Sequence, residues 1–274
     1  MHANELNSAQ QFIEIPRRIF QTWKVRSPLP AAFELWSSTI KEYNGTYEYV
    51  IWDDADNRQF IATKYPWFID KYDSYEKEIF RVDAVRYFEL FHFGGFYLDF
   101  DVECLQPLDR YLSGNDILVG RMGHDTAFPN SIPNAIMASK PRQEFWLYVM
   151  SHLADGPASG DVEVVTGPKF LKACIDGWNE GEGDQRARIE FIRTQLTPEL
   201  AVTDRTRRIT ILPPDEWYPL NWNDPAHQLL RAEWLNKSEM SRMNKEAFRG
   251  RSTLITYWAH SWDQSIGGAR NVAG

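Results

Sequence analysis

Two aspartates, Asp99 and Asp101, stand two residues apart at the end of an apolar run, Phe96-Tyr97-Leu98. Side chains two apart on a strand share a face, so both carboxylates meet one cation if the strand bends at its end. Mg2+ and Mn2+ take oxygen ligands and are commonly held by one or two carboxylates together with substrate phosphates. The chemistry on offer is neutralisation of a diphosphate. A solvated turn after a strand has the same composition, so the surrounding elements must decide between the two.

Gly94-Gly95 separates a helical pattern over 75–93 from the strand that carries the aspartates, and glycine takes the left-handed turn that ends a helix. On that helix Asp83 and Arg86 share a stripe with Ile79 and Leu90, at spacings of four, three and four. The stripe turns both charges inward. Either they satisfy each other as a buried i, i+3 pair or they face a ligand.

Upstream, the chain reads as a strand over 18–23, a helix over 30–43 opened by proline, and a strand over 47–52. Strand, helix, strand in that order predicts parallel pairing. A short helix over 55–64 follows, and downstream come a strand over 116–120, helices over 143–153 and 168–178, a loop over 177–184, and late strands over 209–212 and 253–257. This alternation predicts an α/β sheet that binds ligands at the carboxyl ends of its strands. Trp23 and Trp52 read as core aromatics by default, and Asp53-Asp54 as a cap.

A chain of 274 residues, 43% hydrophobic and 14% aromatic, suffices for one large α/β domain spanning 1–274, with a polar extension over 1–14 and a flexible tail over 263–274. A net charge of -8 without a Lys/Arg run argues against nucleic acid. The polar start and the lack of any apolar run of about 18 residues predict a soluble, unexported, cytoplasmic chain without a transmembrane segment. Cys104 and Cys174, outside any Cys-x-x-Cys pattern, read as reduced structural thiols.

The blocks Ile15-Pro-Arg-Arg-Ile-Phe-Gln-Thr-Trp23, Tyr49-Val-Ile-Trp-Asp-Asp54, Arg81-Val-Asp83, Arg86-Tyr87, Gly94-Gly-Phe-Tyr-Leu-Asp-Phe-Asp101, Asn134-Ala-Ile-Met, Thr166-Gly-Pro168 and His260-Ser-Trp262 occur in this order. Together they resemble glycosyltransferase family 32, the DXD sugar-binding enzymes that include fungal mannosyltransferases and, more distantly, clostridial glucosylating toxins. The resemblance implies a GT-A-type fold, a mixed, mostly parallel sheet flanked by helices. It implies a UDP- or GDP-hexose donor, Mn2+ or Mg2+ on Asp99, Asp101 and His260, and transfer with retention. It implies that Asp83 and Arg86 address the donor sugar, Gln21, Thr22 and Trp23 the nucleoside, Asn134 the sugar or the pocket wall, and His260 and Trp262 the diphosphate.

Two other functions compete. A phosphohydrolase of the haloacid dehalogenase type also uses an Asp-x-Asp, but wants Thr or Val where this chain has Glu103. A catalytically inactive carbohydrate binder would use the 11 Trp residues as a glycan groove. The donor sugar and base stay open, as does the acceptor, whether glycan, glycolipid or protein, with peripheral membrane association compatible.

Overall fold

The computed structural model describes residues 14–181, 183–202, 208–221, 224–228 and 248–259. Its elements in chain order are β1 (Arg18–Thr22), α1 (Ala31–Tyr43), β2 (Glu48–Trp52), α2 (Asp54–Lys64), α3 (Ile69–Ser74), α4 (Glu78–Phe93), β3 (Gly95–Leu98) and β4 (Val102–Cys104). There follow β5 (Ile117–Gly120), β6 (Ile136–Ser139), α5 (Glu144–Asp155), α6 (Val162–Val165), α7 (Pro168–Glu180), α8 (Gln185–Arg193), β7 (Ile209–Leu212), α9 (Pro214–Trp217) and β8 (Leu254–Thr256).

Six strands form one sheet in the order β2-β1-β3-β6-β5-β7, and β4 pairs with β8 in a small second sheet. β1 lies parallel to both β2 and β3, and β5 parallel to β7. β6 runs antiparallel to both β3 and β5. The architecture is therefore the mixed, mostly parallel GT-A-type sheet that the resemblance implies. β6 is not expected from the sequence, because its four residues are all buried and so show no alternation.

Strand alternation divides the core. Phe20 and Tyr97 face the cluster built by α2, α4, α5 and α7, whereas Ile19, Phe96 and Leu98 face Ile40 of α1 and Trp217 of α9. Helices thus cover both faces of the sheet. Among the described residues no helix is long and apolar enough to cross a membrane. Cys104 and Cys174 are buried and take part in no disulfide.

Two expected boundaries shift. The loop over 177–184 is shorter, because α7 continues to Glu180 and closes on left-handed Gly181. The strand expected to reach Asp101 ends at Leu98. Asp99 opens a turn, with the Val102 N–H donating to its carbonyl at 3.2 Å, and the chain leaves the large sheet for β4. Gly94 and Gly95 make the approach to β3 possible. Both have positive φ, 66° and 97°, and a Cβ would fall 2.6 Å from Pro141 Cδ at the first and 2.6 Å from the Arg18 carbonyl at the second.

Candidate active site

At the carboxyl ends of β1, β2 and β3 lies a cavity of ≈ 210 Å³, whose lining includes Asp83, Arg86, Asp99, Asp101 and Asn134. β1 pairs with β2 on one side and β3 on the other, so the chain diverges here and leaves a crevice.

The stripe on α4 supplies the centre of the wall. Arg86 Nη2 lies 3.0 Å from Asp83 Oδ1, and Arg86 Nη1 lies 3.3 Å from Asp99 Oδ1, so one guanidinium joins both carboxylates. Arg86 also donates to the Asn134 carbonyl at 2.7 Å and sits 4.3 Å over the Tyr97 ring. Asp83 accepts from Asn134 Nδ2 at 3.0 Å and from Thr166 Oγ1 at 3.2 Å. The i, i+3 pair weighed from sequence is present, and it lines the cavity rather than a sealed core.

The Asp99–Asp101 turn is held from three sides. Gln21 Nε2 donates to the Asp99 carbonyl at 3.0 Å, and the Tyr257 N–H donates to the Asp101 carbonyl at 2.9 Å. The Ala259 N–H donates to Asp101 Oδ2 at 2.7 Å, and Thr256 Oγ1 to Asp101 Oδ1 at 3.3 Å. Tyr97 donates its hydroxyl to Asp99 Oδ1 at 3.0 Å.

Burial sets the electrostatics. Desolvation pushes Asp83 up to about 6 against the pull of Arg86, and pushes Asp101 up to about 6 with help from the Asp99 charge. It also raises Asp99, which Arg86 partly restrains. For Arg86 burial favours the neutral form, but Asp99, Tyr97 and Asp83 outweigh it and keep the guanidinium charged.

Residues 30–118, which contain Asp83, Arg86, Asp99 and Asp101, match the family model described as a glycosyltransferase sugar-binding region containing a DXD motif. Inositol phosphoceramide mannosyltransferase 3 of Schizosaccharomyces pombe is 36% identical over 177 residues, 63% of this chain and 48% of that protein. Over residues 30–118 the chain is similar to the DXD glycosyltransferases. Mannosyl phosphorylinositol ceramide synthase CSH1 of Saccharomyces cerevisiae is 36% identical over 139 residues, 51% of this chain and 35% of that protein. The chain thus spans half or less of the length of these curated relatives. Among solved structures, the PaToxG glycosyltransferase aligns over 88% of this chain and 89% of its own, with a TM-score of 0.49 and 14% identity.

Around this cavity, the residues expected from sequence divide. Asp83, Arg86, Asp99, Asp101, Asn134, Thr22 and Trp23 all line the cavity. Thr22 uses its hydroxyl on the Trp52 carbonyl and on Asn57, and Trp23 packs edge-on to Phe33 at 4.8 Å. Gln21 is not part of the lining. Its amide oxygen accepts from Ser37 and Tyr49 while its nitrogen braces Asp99, so it positions the turn instead of meeting a nucleoside. His260 and Trp262 lie outside the described residues. Their neighbours Trp258 and Ala259 are at the cavity, one in its wall and the other on Asp101.

Asp54, read from sequence as a cap, lines the same cavity together with Glu78 and Lys24, which no sequence signal singles out. Asp53 caps α2 in a reciprocal pair with Asp56, as expected of a strand-ending aspartate. Asp54 does not cap. Its Oδ1 is buried without a hydrogen bond. Nothing in an Asp-Asp dipeptide says which of the two will cap; the backbone at the helix start decides.

Asp99 and Asp101 fit a cation held jointly with a substrate. Among the described residues no three His, Cys, Asp or Glu side chains converge on a metal position. A two-carboxylate site completed by phosphates and water needs no third. Both contacts to the Asp99 carboxylate fall on Oδ1, which leaves Oδ2 for a ligand.

Proposed function

We propose that this chain is a metal-dependent hexosyltransferase, moving a hexose from a nucleoside diphosphate sugar to a hydroxyl on a glycan, glycolipid or protein. The observation that carries this reading is the continuous chain Asp83–Arg86–Asp99, which links the sugar-facing carboxylate to the DXD turn inside one cavity. Mn2+ or Mg2+ on Asp99 and Asp101 would supply charge neutralisation for the diphosphate leaving group. Asp83 retains acceptor capacity for sugar hydroxyls, and Arg86 holds it at a fixed distance from the turn. Arg86, Asn134 and Thr166 hold both oxygens of Asp83 in a fixed orientation. Retention at the anomeric carbon is what the resemblance to family 32 implies for this transfer. The relatives' names point to mannose as the hexose and an inositol phosphoceramide-type glycolipid as the acceptor, which would bring the chain to a membrane surface.

The test is release of hexose from GDP-mannose and UDP-glucose, with Mn2+ and with chelator, by the wild type and Asp101→Asn. Metal-dependent release that Asp101→Asn lowers roughly 100- to 1,000-fold is expected. Release indifferent to both chelation and the substitution would refute the reading.

A further inference from the structure

The peptide groups of Asp99 are held from both flanks. On the β6 side the Asp99 N–H donates to the Ala135 carbonyl at 2.8 Å, and on the β1 side the Asp99 carbonyl accepts from Gln21 Nε2 at 3.0 Å. A carbonyl only accepts, so the Gln21 nitrogen has to face it and the amide oxygen has to face away. There Gln21 Oε1 accepts from two hydroxyls, Ser37 of α1 at 3.2 Å and Tyr49 of β2. Strand register brings them together. Ile19 pairs with Tyr49, so Gln21, two residues beyond Ile19, shares a face with Tyr49, and Ile40 of α1 packs on that face. Burial pushes the Tyr49 hydroxyl up to about 12, so it stays protonated and able to donate. Gln21 is 1% exposed, so an amide oxygen that lost these donors would have no water to replace them. Neither Ser37 nor Tyr49 lines the cavity that holds the DXD turn.

We infer that Ser37 and Tyr49 are positioning residues for the cation site, acting through the Gln21 amide on the backbone of Asp99. A side-chain amide has two orientations, and the flipped one would set Oε1 against the Asp99 carbonyl, acceptor against acceptor. Two hydroxyl donors occupy both lone pairs of Oε1 and select the orientation that donates to the turn. Fixing that carbonyl fixes where the Asp99 side chain leaves the backbone, and so how it stands relative to Asp101. Groups that orient metal ligands in this way set metal affinity without touching the metal. The inference rests on the proposed function, because it takes Asp99 and Asp101 as the cation's ligands.

The experiment is calorimetric titration of Mn2+ into the full chain with excess GDP, and in parallel with excess UDP, alongside thermal melts of the ligand-free protein. The proteins compared are the wild type, Ser37→Ala, Tyr49→Phe, Gln21→Met and the double variant Gln21→Met/Tyr49→Phe. Ser37→Ala and Tyr49→Phe should each weaken Mn2+ binding roughly 5-fold, and Gln21→Met roughly 10-fold or more. Hexose release at saturating Mn2+ should stay within roughly 2-fold of the wild type for the two hydroxyl variants, since the loss lies in metal affinity. In the Gln21→Met background Tyr49→Phe should weaken Mn2+ no further, because its hydroxyl acts only through the missing amide. If Gln21→Met does not fold, the two hydroxyl variants decide alone. Lower melting temperatures with unchanged Mn2+ affinity, the result expected of hydroxyls that only support the fold, would overturn the inference while leaving sugar transfer standing. So would additive weakening in the double variant. A wild type that binds no Mn2+ with either nucleotide would overturn both.

Discussion

The two ends of the cavity are built differently. At the end walled by α4, both oxygens of Asp83 and every polar edge of Arg86 contribute to one network, with only 6% and 3% of their side chains exposed. At the end beside β2, Asp54 has an oxygen without a partner, and Glu78 leaves 46% of its side chain exposed. The first end is part of the fold, since the same contacts tie α4 to the segment before β6 and to Thr166 ahead of α7. The second hangs on two helix starts. The networked end is thereby held rigidly, while at the other end substitutions should cost the fold little.

Arg86→Ala attacks the networked end hardest. It strands Asp83 in a buried site with a carboxylate and no cation, so stability should fall by about 3–5 kcal/mol in urea denaturation. A loss below 1 kcal/mol would erase the contrast between the two ends.

Asp101→Asn should do the opposite to the ligand-free protein. Burial and Asp99 raise the Asp101 pKa to about 6 from 3.8, so the folded state binds this proton more tightly than the unfolded chain. Stability from this group is therefore greatest at low pH and is lost as pH rises from about 4 to about 6, with a cost of about 3 kcal/mol above that window. Asparagine keeps an acceptor for the Ala259 N–H and carries no charge. The variant should melt higher than the wild type at pH 7 and converge with it near pH 4. A variant that melts lower at pH 7 would contradict this assignment.

Asn134→Ala removes a donor shared by Asp83 and the Tyr87 hydroxyl, at 3.0 Å and 3.3 Å. It should cost about 1–3 kcal/mol and lower turnover as well. Glu78→Gln at the other end should change stability by less than about 0.5 kcal/mol, and thermal melts of the two variants side by side measure the asymmetry.

Much of the networked end was legible because helical spacing is a strong signal: Asp83 and Arg86 share a stripe with Leu90, and Gly94-Gly95 marks where the chain turns toward the aspartates. The other end was not. β1 is buried along four of its five residues, so alternation says nothing about whether Gln21 faces the cavity or the core. β6 carries the same ambiguity, all four of its residues being buried. Asp53 and Asp54 are chemically identical, and only the φ/ψ change at the start of α2 sends one to the backbone and the other into the cavity.

The central claim is that Asp99, Asp101, Asp83 and Arg86 form one site in which the DXD turn binds a diphosphate through a cation. Isothermal titration of GDP into the wild type and Asp101→Asn, with and without Mn2+, tests it most directly. Wild-type binding should require Mn2+ and should drop at least roughly 10-fold in Asp101→Asn, with the melting temperature of the ligand-free variant maintained or raised. Binding that is equally tight without Mn2+, or undiminished in Asp101→Asn, would contradict the account.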